Sequence, residues 1–237
     1  MALATVSLRV HRHFGVAHEF RHLSRWTLAW PLVTYKPLPR AFFERSVLTV
    51  ARECLGKFLI HELPTETLVA RIVESEAYRG PRDRAAHSYG GKPTKRTLVM
   101  YGEAGVAYVF FVYGMHFQFN VVTGRVGEPH AVLIRAVEPI QGQQTMQANR
   151  GHPRAACDVT NGPGKLCQAL GIDRHHNGID LCRPPLYFSE GPAPSVVRRS
   201  PRIGVDYAGE WALRPWRWVD ANSQYASRRV AGSRSRP

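Results

Sequence analysis

Two carboxylates set two residues apart, Glu74 and Glu76, close an apolar run in the stretch R-I-V-E-S-E-A-Y and are followed at once by Tyr78. In an extended chain side chains alternate with period two, so a strand running straight through this stretch carries both acids on one face. Acids placed this way can hold a metal, work as general acid and base, or sit solvated or salt-bridged at a strand end. The apolar residues before them and the aromatic after them favour burial, and a buried glutamate is placed to hold and activate a water. Further along, A-Y-V-F-F-V-Y-G-M supplies Tyr108, Phe110, Phe111 and Tyr113. Alternation puts Tyr108 and Phe110 on one face and Phe111 on the other. Aromatics are common in strands, so one face packs a core while the other lines a cavity. Tyr113 differs: beside Gly114 at a hairpin tip it has little core to enter. A ring so placed can wedge into a base stack and fill the gap left by a flipped nucleotide.

Three polar residues complete the set. His87 lies in a stretch rich in glycine, proline and charge, and is weak evidence by itself in a chain with 11 histidines. Arg135 interrupts the apolar run V-L-I-R-A-V and needs an anion to be buried there; a phosphate or a carboxylate such as Glu76 would serve. Asn120 ends an apolar strand with an amide able to read a base edge.

The elements that must position these groups follow from periodicity. Val47, Leu48, Ala51, Cys54 and Leu55 fall at helical spacing, and Gly56 follows as a stop. Residues 57–61 and 67–76 read as strands of a first hairpin turning near Pro64. Residues 79–95 read as a loop that can carry contact residues such as His87. A second hairpin pairs 106–112 with 117–122 and has Tyr113, Gly114, Met115 and His116 at its tip. Residues 131–137 form another strand and 139–150 a helix. N-G-P-G-K-L-C-Q-A-L at 161–170 opens a short helix with a glycine loop. A nucleotide-binding P-loop would need Gly at 159 and Ser or Thr at 166, where this chain has Val159 and Leu166, so ATP binding is not expected. The exposed N–H groups of that helix start still favour an anion, and a DNA phosphate near Lys165 is the expectation. Late strands are expected at 186–189, 202–205 and 216–219.

The chain is strongly basic, with 32 Lys and Arg against 18 Asp and Glu and a net charge of +14 over 237 residues. Such an excess concentrates polyanions and favours phosphate contact, although much of the arginine lies near the termini. A carboxylate beside aromatic rings in a basic protein suggests a site that takes a flat base from nucleic acid. Four scattered cysteines without a C-x-x-C spacing indicate neither a structural zinc site nor a disulfide framework, and a reducing compartment is the simplest setting. No apolar run approaches the roughly 20 residues needed to span a bilayer. Residues 1–36 are rich in Arg and His with Glu19 as their one acid. They match an organelle transit segment, an arm for DNA, or a start codon placed too far upstream. The composition after about Ala221 offers no packing face and reads as a disordered basic tail.

In this order the blocks L-P-R-A-F-F-E-R, A-R-E-C-L-G-K, R-I-V-E-S-E-A-Y-x-G-P-x-D-x-A-A-H-S, Y-V-F-F-V-Y-G-M-x-F-x-x-N-V, V-L-I-R-A-V-E-P, N-G-P-G-K-L-C-Q-A-L and R-I-G-V resemble the alkyladenine DNA glycosylase family, also called 3-methyladenine or methylpurine DNA glycosylases. The resemblance runs from about Leu38 to Val219. It implies a single α/β (α+β) domain, spanning 37–220, around a curved antiparallel sheet with a protruding hairpin and flanking helices. It implies a monofunctional, metal-free and cofactor-free glycosylase of base excision repair. Glu76 would be the general base on the attacking water and Arg135 would orient that water. Tyr78 and Phe110 would sandwich the flipped base, His87 would form the third wall, and Asn120 would crowd the 2-amino group of normal guanine. Tyr113 would intercalate, with Met115 beside it at the tip and Lys165 as a further DNA contact. The implied partner is double-stranded DNA carrying a damaged purine, bound by a monomer without membrane. The implied setting is the cytoplasm or nucleoid of a bacterium, or the nucleus or mitochondrion of a eukaryote. At Phe110 the best-known vertebrate members have Tyr; a ring without a hydroxyl still stacks, so only the ranking of substrates is affected. Two other classes remain: a catalytically silent nucleic-acid-binding domain, and a metal-dependent nuclease using Glu74, Glu76 and Asp83.

Overall fold

A computed structural model describes residues 34–227 of the chain. Residues 1–33 of the basic extension and 228–237 of the tail lie outside the described residues. Eight strands form one antiparallel sheet: β1 (Phe58–Glu62), β2 (Thr67–Tyr78), β3 (Ala107–Val112), β4 (His116–Thr123), β5 (His130–Gln141), β6 (Leu186–Ser189), β7 (Val197–Ser200) and β8 (Arg217–Asp220). The path runs β3-β4-β5-β2-β1-β6. Strand β2 is the hub. Its first half pairs β1, its second half pairs β8 at Glu74–Glu76, and β5 runs along its other edge. Helices α1 (Arg40–Phe43), α2 (Val47–Glu53), α3 (Gln143–Asn149) and α4 (Pro163–Leu170) accompany the sheet.

Period-two alternation sorts the sheet into a helix-backed core and an open face. Ala107 and Val109, Phe119 and Val121, Val132 and Ile134 join the main core with residues of α2 and α4. Their neighbours Tyr108, Asn120 and Leu133 line a cavity on the other face. Two β-bulges adjust this pattern at the acids. Leu68, Ala70 and Ile72 of β2 face the core, yet so does Ala77, while the Ser75 hydroxyl donates to the Ala51 carbonyl of α2 at 2.6 Å. The parity changes because the register slips between Ile72 and Glu74, leaving Val73 as the extra residue. Without that slip Glu74, Glu76 and Tyr78 would continue the core-facing row. Strand β5 slips in the same region: Glu74 pairs with Ala136 and Ser75 with Ile134, so Arg135 is its extra residue and is turned toward the acids.

The structure corrects the expected elements in four places. Strand β5 continues through Pro139 to Gln141, and only Gln143–Asn149 is helical, because Pro139 sits beside a register shift where its missing N–H costs no ladder bond. The strand expected at 202–205 is absent. Gly204 has φ +76 and Arg202 turns inward, whereas β7 precedes it as an edge strand. His116 belongs to β4 rather than to the hairpin tip. Finally, residues 221–227 are not featureless: the backbone N–H and the hydroxyl of Ser227 both donate to Glu74, at 2.6 and 2.8 Å. Those two bonds give this stretch the anchor that its composition hides.

Candidate active site

Glu76 lies on the bulged half of β2, fully buried. Its Oε1 accepts from the Ile203 backbone N–H at 2.8 Å. Its Oε2 accepts from the Tyr78 hydroxyl at 2.8 Å and from Arg135 Nη1 at 3.3 Å. Burial and the neighbouring carboxylate push the Tyr78 phenol well above its usual range, so it stays a donor. Burial alone would lower the Arg135 pKa, but the carboxylates of Glu76 and Glu74 outweigh it and the net direction is upward. Tyr78 and Arg135 line a cavity of about 650 Å³, with Glu76 directly bonded to both.

Glu74 does a different job. Arg135 Nε at 3.0 Å, Arg217 Nε at 2.7 Å and the two Ser227 donors saturate it, and no side-chain surface is left exposed. It anchors the arginine that reaches Glu76. Asp83, the third acid of the nuclease reading, is held elsewhere: Arg202 grips both its oxygens, at 2.5 and 2.9 Å, and the N–H groups of Arg79 and Ala85 add to them. Among the described residues no group of three or more His, Cys, Asp or Glu side chains is arranged to hold a metal.

The aromatic wall stands on β3. Tyr108 is buried, and Phe110 lies 5.2 Å from it between ring centroids. The His87 ring meets Phe110 edge-on at 4.5 Å. His87 Nδ1 is 2.9 Å from the Tyr108 hydroxyl and Nε2 is 3.3 Å from Arg96. A guanidinium only donates, so Nε2 accepts and the neutral ring carries its proton on Nδ1. Burial, helped by Arg96, lowers the His87 pKa from 6.5 to about 4. Arg96 also sits over the Phe110 ring at 4.8 Å. Asn120 is buried at the cavity wall with its amide nitrogen donating to the Tyr108 carbonyl at 3.1 Å, which leaves its Oδ1 and its second amide hydrogen for a ligand.

At the tip of the β3–β4 hairpin Tyr113 is 82% exposed and Met115 68% exposed. Tyr113 has φ +54, followed by Gly114 at +66, and Met115 N–H closes the turn on the Val112 carbonyl at 3.2 Å. A left-handed tyrosine costs of order 1 kcal/mol, and no contact with the core recovers it. Tyr113 also borders the cavity, so strand, tip and pocket are continuous. Glu76, Arg135, Tyr78, His87, Phe110, Asn120 and Tyr113 are therefore brought together. Lys165 is not: its ammonium is tied to Asp158 at 3.1 Å and Asn161 at 2.7 Å, where it braces the glycine loop, and the cavity is bordered there by Pro163 instead.

Sequence reasoning missed Arg96, Arg202, Tyr207 and the Ile203 N–H. Arg202 lies over the Tyr78 ring at 4.8 Å while it clamps Asp83. Its one signal was an arginine beside the apolar pair Ile203 and Val205, the pattern that also exposed Arg135. A backbone N–H such as that of Ile203 has no signature in a sequence.

A cavity walled by aromatic rings, with a buried carboxylate behind it and an exposed tyrosine at its mouth, has the make-up of an enzyme site for a flat substrate. Comparison with known proteins gives the particular family. The model of the methylpurine-DNA glycosylase (MPG) family matches residues 41–224. A protein of Desulfitobacterium hafniense is 52% identical over 200 residues, covering 81% of this chain and 98% of its own. One from Methanocella arvoryzae is 50% identical over 196 residues (82% and 98%), and one from Myxococcus xanthus 48% over 202 (84% and 98%). All three bear the name "Putative 3-methyladenine DNA glycosylase". The chain belongs to the methylpurine-DNA glycosylase family and is a DNA glycosylase of DNA repair.

Proposed function

We propose that the protein acts as a monomer on double-stranded DNA and turns a damaged purine out into the cavity. Its first substrates are 3-methyladenine and 7-methylguanine, with hypoxanthine and ethenoadenine more demanding. The observation that carries this reading is the buried Glu76 carboxylate, held by three donors immediately behind an aromatic cavity. Glu76 takes the proton of a water as the water oxygen bonds to C1′, the C1′–N bond breaks, and the bonding pair leaves with the base. Arg135 fixes the carboxylate and orients the water.

An alkylated purine carries a positive charge, and its departure with the bonding pair neutralises it. Stacked on Tyr78 and Phe110, the cation gains about 1–2 kcal/mol from the ring faces. A neutral lesion such as hypoxanthine leaves as an anion unless it gains a proton, so the same site removes it more slowly. Tyr113 occupies the gap in the duplex, and Asn120 crowds the 2-amino group of guanine. Among the described residues those lining the cavity include no lysine, which supports hydrolysis without a Schiff base and without strand cutting. The test offers methylated duplex and a single-hypoxanthine duplex in the presence of borohydride. Free base with an unbroken strand is expected, and a borohydride-trapped protein–DNA adduct that persists after repurification overturns the monofunctional reading.

A further inference from the structure

Beside the cavity, the loop at 79–96 presents Arg79, Arg82, Arg84, Lys92, Lys95 and Arg96, all exposed. Its one acid is Asp83, which is fully buried and clamped by Arg202, so no carboxylate of the loop offsets that charge at the surface. Exposed or half-exposed cations elsewhere are commonly paired: Arg45 holds Glu53, Lys57 holds Glu190, Arg71 holds Glu138 and Lys165 holds Asp158.

The loop is also fixed in place. Asp83 accepts the N–H groups of Arg79 and Ala85, Gly90 N–H donates to the Pro81 carbonyl at 3.0 Å, and the Ser88 hydroxyl donates to the Pro129 carbonyl at 2.8 Å. Between its cations the same loop contributes Ala85 and His87, and at its end Arg96, to the cavity wall.

Six exposed like charges on one fixed loop concentrate anions, and the phosphates of a nucleic-acid backbone are the polyanion that such a surface fits. We propose that this loop is the phosphate grip of the enzyme, seating the backbone that flanks the everted nucleotide. The inference rests on the DNA-glycosylase reading for its ligand, but the grip is tested without any catalysis.

The experiment titrates full-length protein with an undamaged labelled duplex by fluorescence anisotropy between 50 and 200 mM salt. It compares wild type with Arg82→Gln/Arg84→Gln, with Lys92→Gln/Lys95→Gln and with the control Arg52→Gln/Arg199→Gln. The control cations are exposed. Arg52 is on α2, which backs the sheet face opposite Glu76, and Arg199 of β7 borders the same surface groove as Arg52. Each lost phosphate contact flattens the slope of log affinity against log salt by about 0.9, so each one lost makes the fall across this range about 3.5-fold smaller.

The loop variants are expected to flatten the slope and the control to leave it unchanged, each with an unaltered thermal midpoint. Equal slopes in all four proteins, or an equal change in loop and control variants, overturn the proposal and reduce the effect to net charge. Binding carries this test alone, so a failure of base release would refute the functional reading and leave the grip standing.

Discussion

Replacing Glu74 by Gln isolates the architecture that supports Glu76. Among the described residues two carboxylates, Glu74 and Glu76, face two guanidiniums, Arg135 and Arg217. Glu74→Gln removes the carboxylate that pairs with both guanidiniums, among side chains at most 9% exposed. The new amide nitrogen also meets either Ser227 N–H or a guanidinium, a donor against a donor. Breaking one side of a buried pair costs about 3–5 kcal/mol. With a denaturant dependence of about 2–3 kcal/mol per molar urea, the unfolding midpoint falls by about 1–2.5 M.

Glu76→Gln should cost less, because its one guanidinium contact is the longer one at 3.3 Å and a glutamine still accepts from Tyr78 or Ile203. Adding Arg217→Met to Glu74→Gln removes one of the two guanidiniums left facing the amide and recovers part of the loss. Urea unfolding followed by circular dichroism measures all four proteins. A midpoint drop below roughly 0.3 M for Glu74→Gln, or a larger drop for Glu76→Gln, refutes the assignment of Glu74 as the structural acid.

Other expectations follow from the same geometry. Tyr113→Ala should leave stability within about 0.5 kcal/mol, since the ring is 82% exposed, yet slow excision from duplex more than from a single strand, which has no gap to fill; equal slowing contradicts the wedge role. The His87 ring should titrate near 4 by NMR. Because the unfolded ring takes up a proton near 6.5 that the folded ring refuses, this contribution to stability is complete above pH 6.5 and is lost as pH falls from 6.5 toward about 4. The wild-type midpoint should therefore fall relative to His87→Gln across that window, and parallel curves contradict it. The loop at 79–96 adds the salt-slope prediction given above.

Much of this site was legible because it obeys local rules. Helix α2, the two hairpins, the exposed Tyr113 and the need of Arg135 for an anion all follow from spacing and from the cost of burying charge. What stayed hidden depends on long-range closure. The partners that saturate Glu74 lie 143 and 153 residues away, at Arg217 and Ser227. Two bulges, each a single extra residue, decide which face the acids share, and no composition signals them. Strand β7, V-R-R-S, lacks an apolar alternation because among the described residues only one of its edges is paired, to β8. Lys165 shows how far a local signal reaches: a glycine loop before a helix favours an anion, and within the fold Asp158 is the one that pairs with it.

The central claim is that Glu76 activates the water that releases the base. Its most direct test compares wild type with Glu76→Gln in single-turnover release of methylated purines from duplex DNA in EDTA, with binding to the same duplex measured alongside. The account predicts release by wild type, loss of release in the variant by at least about 100-fold, and binding retained by both. Release at comparable rates by both proteins would contradict it.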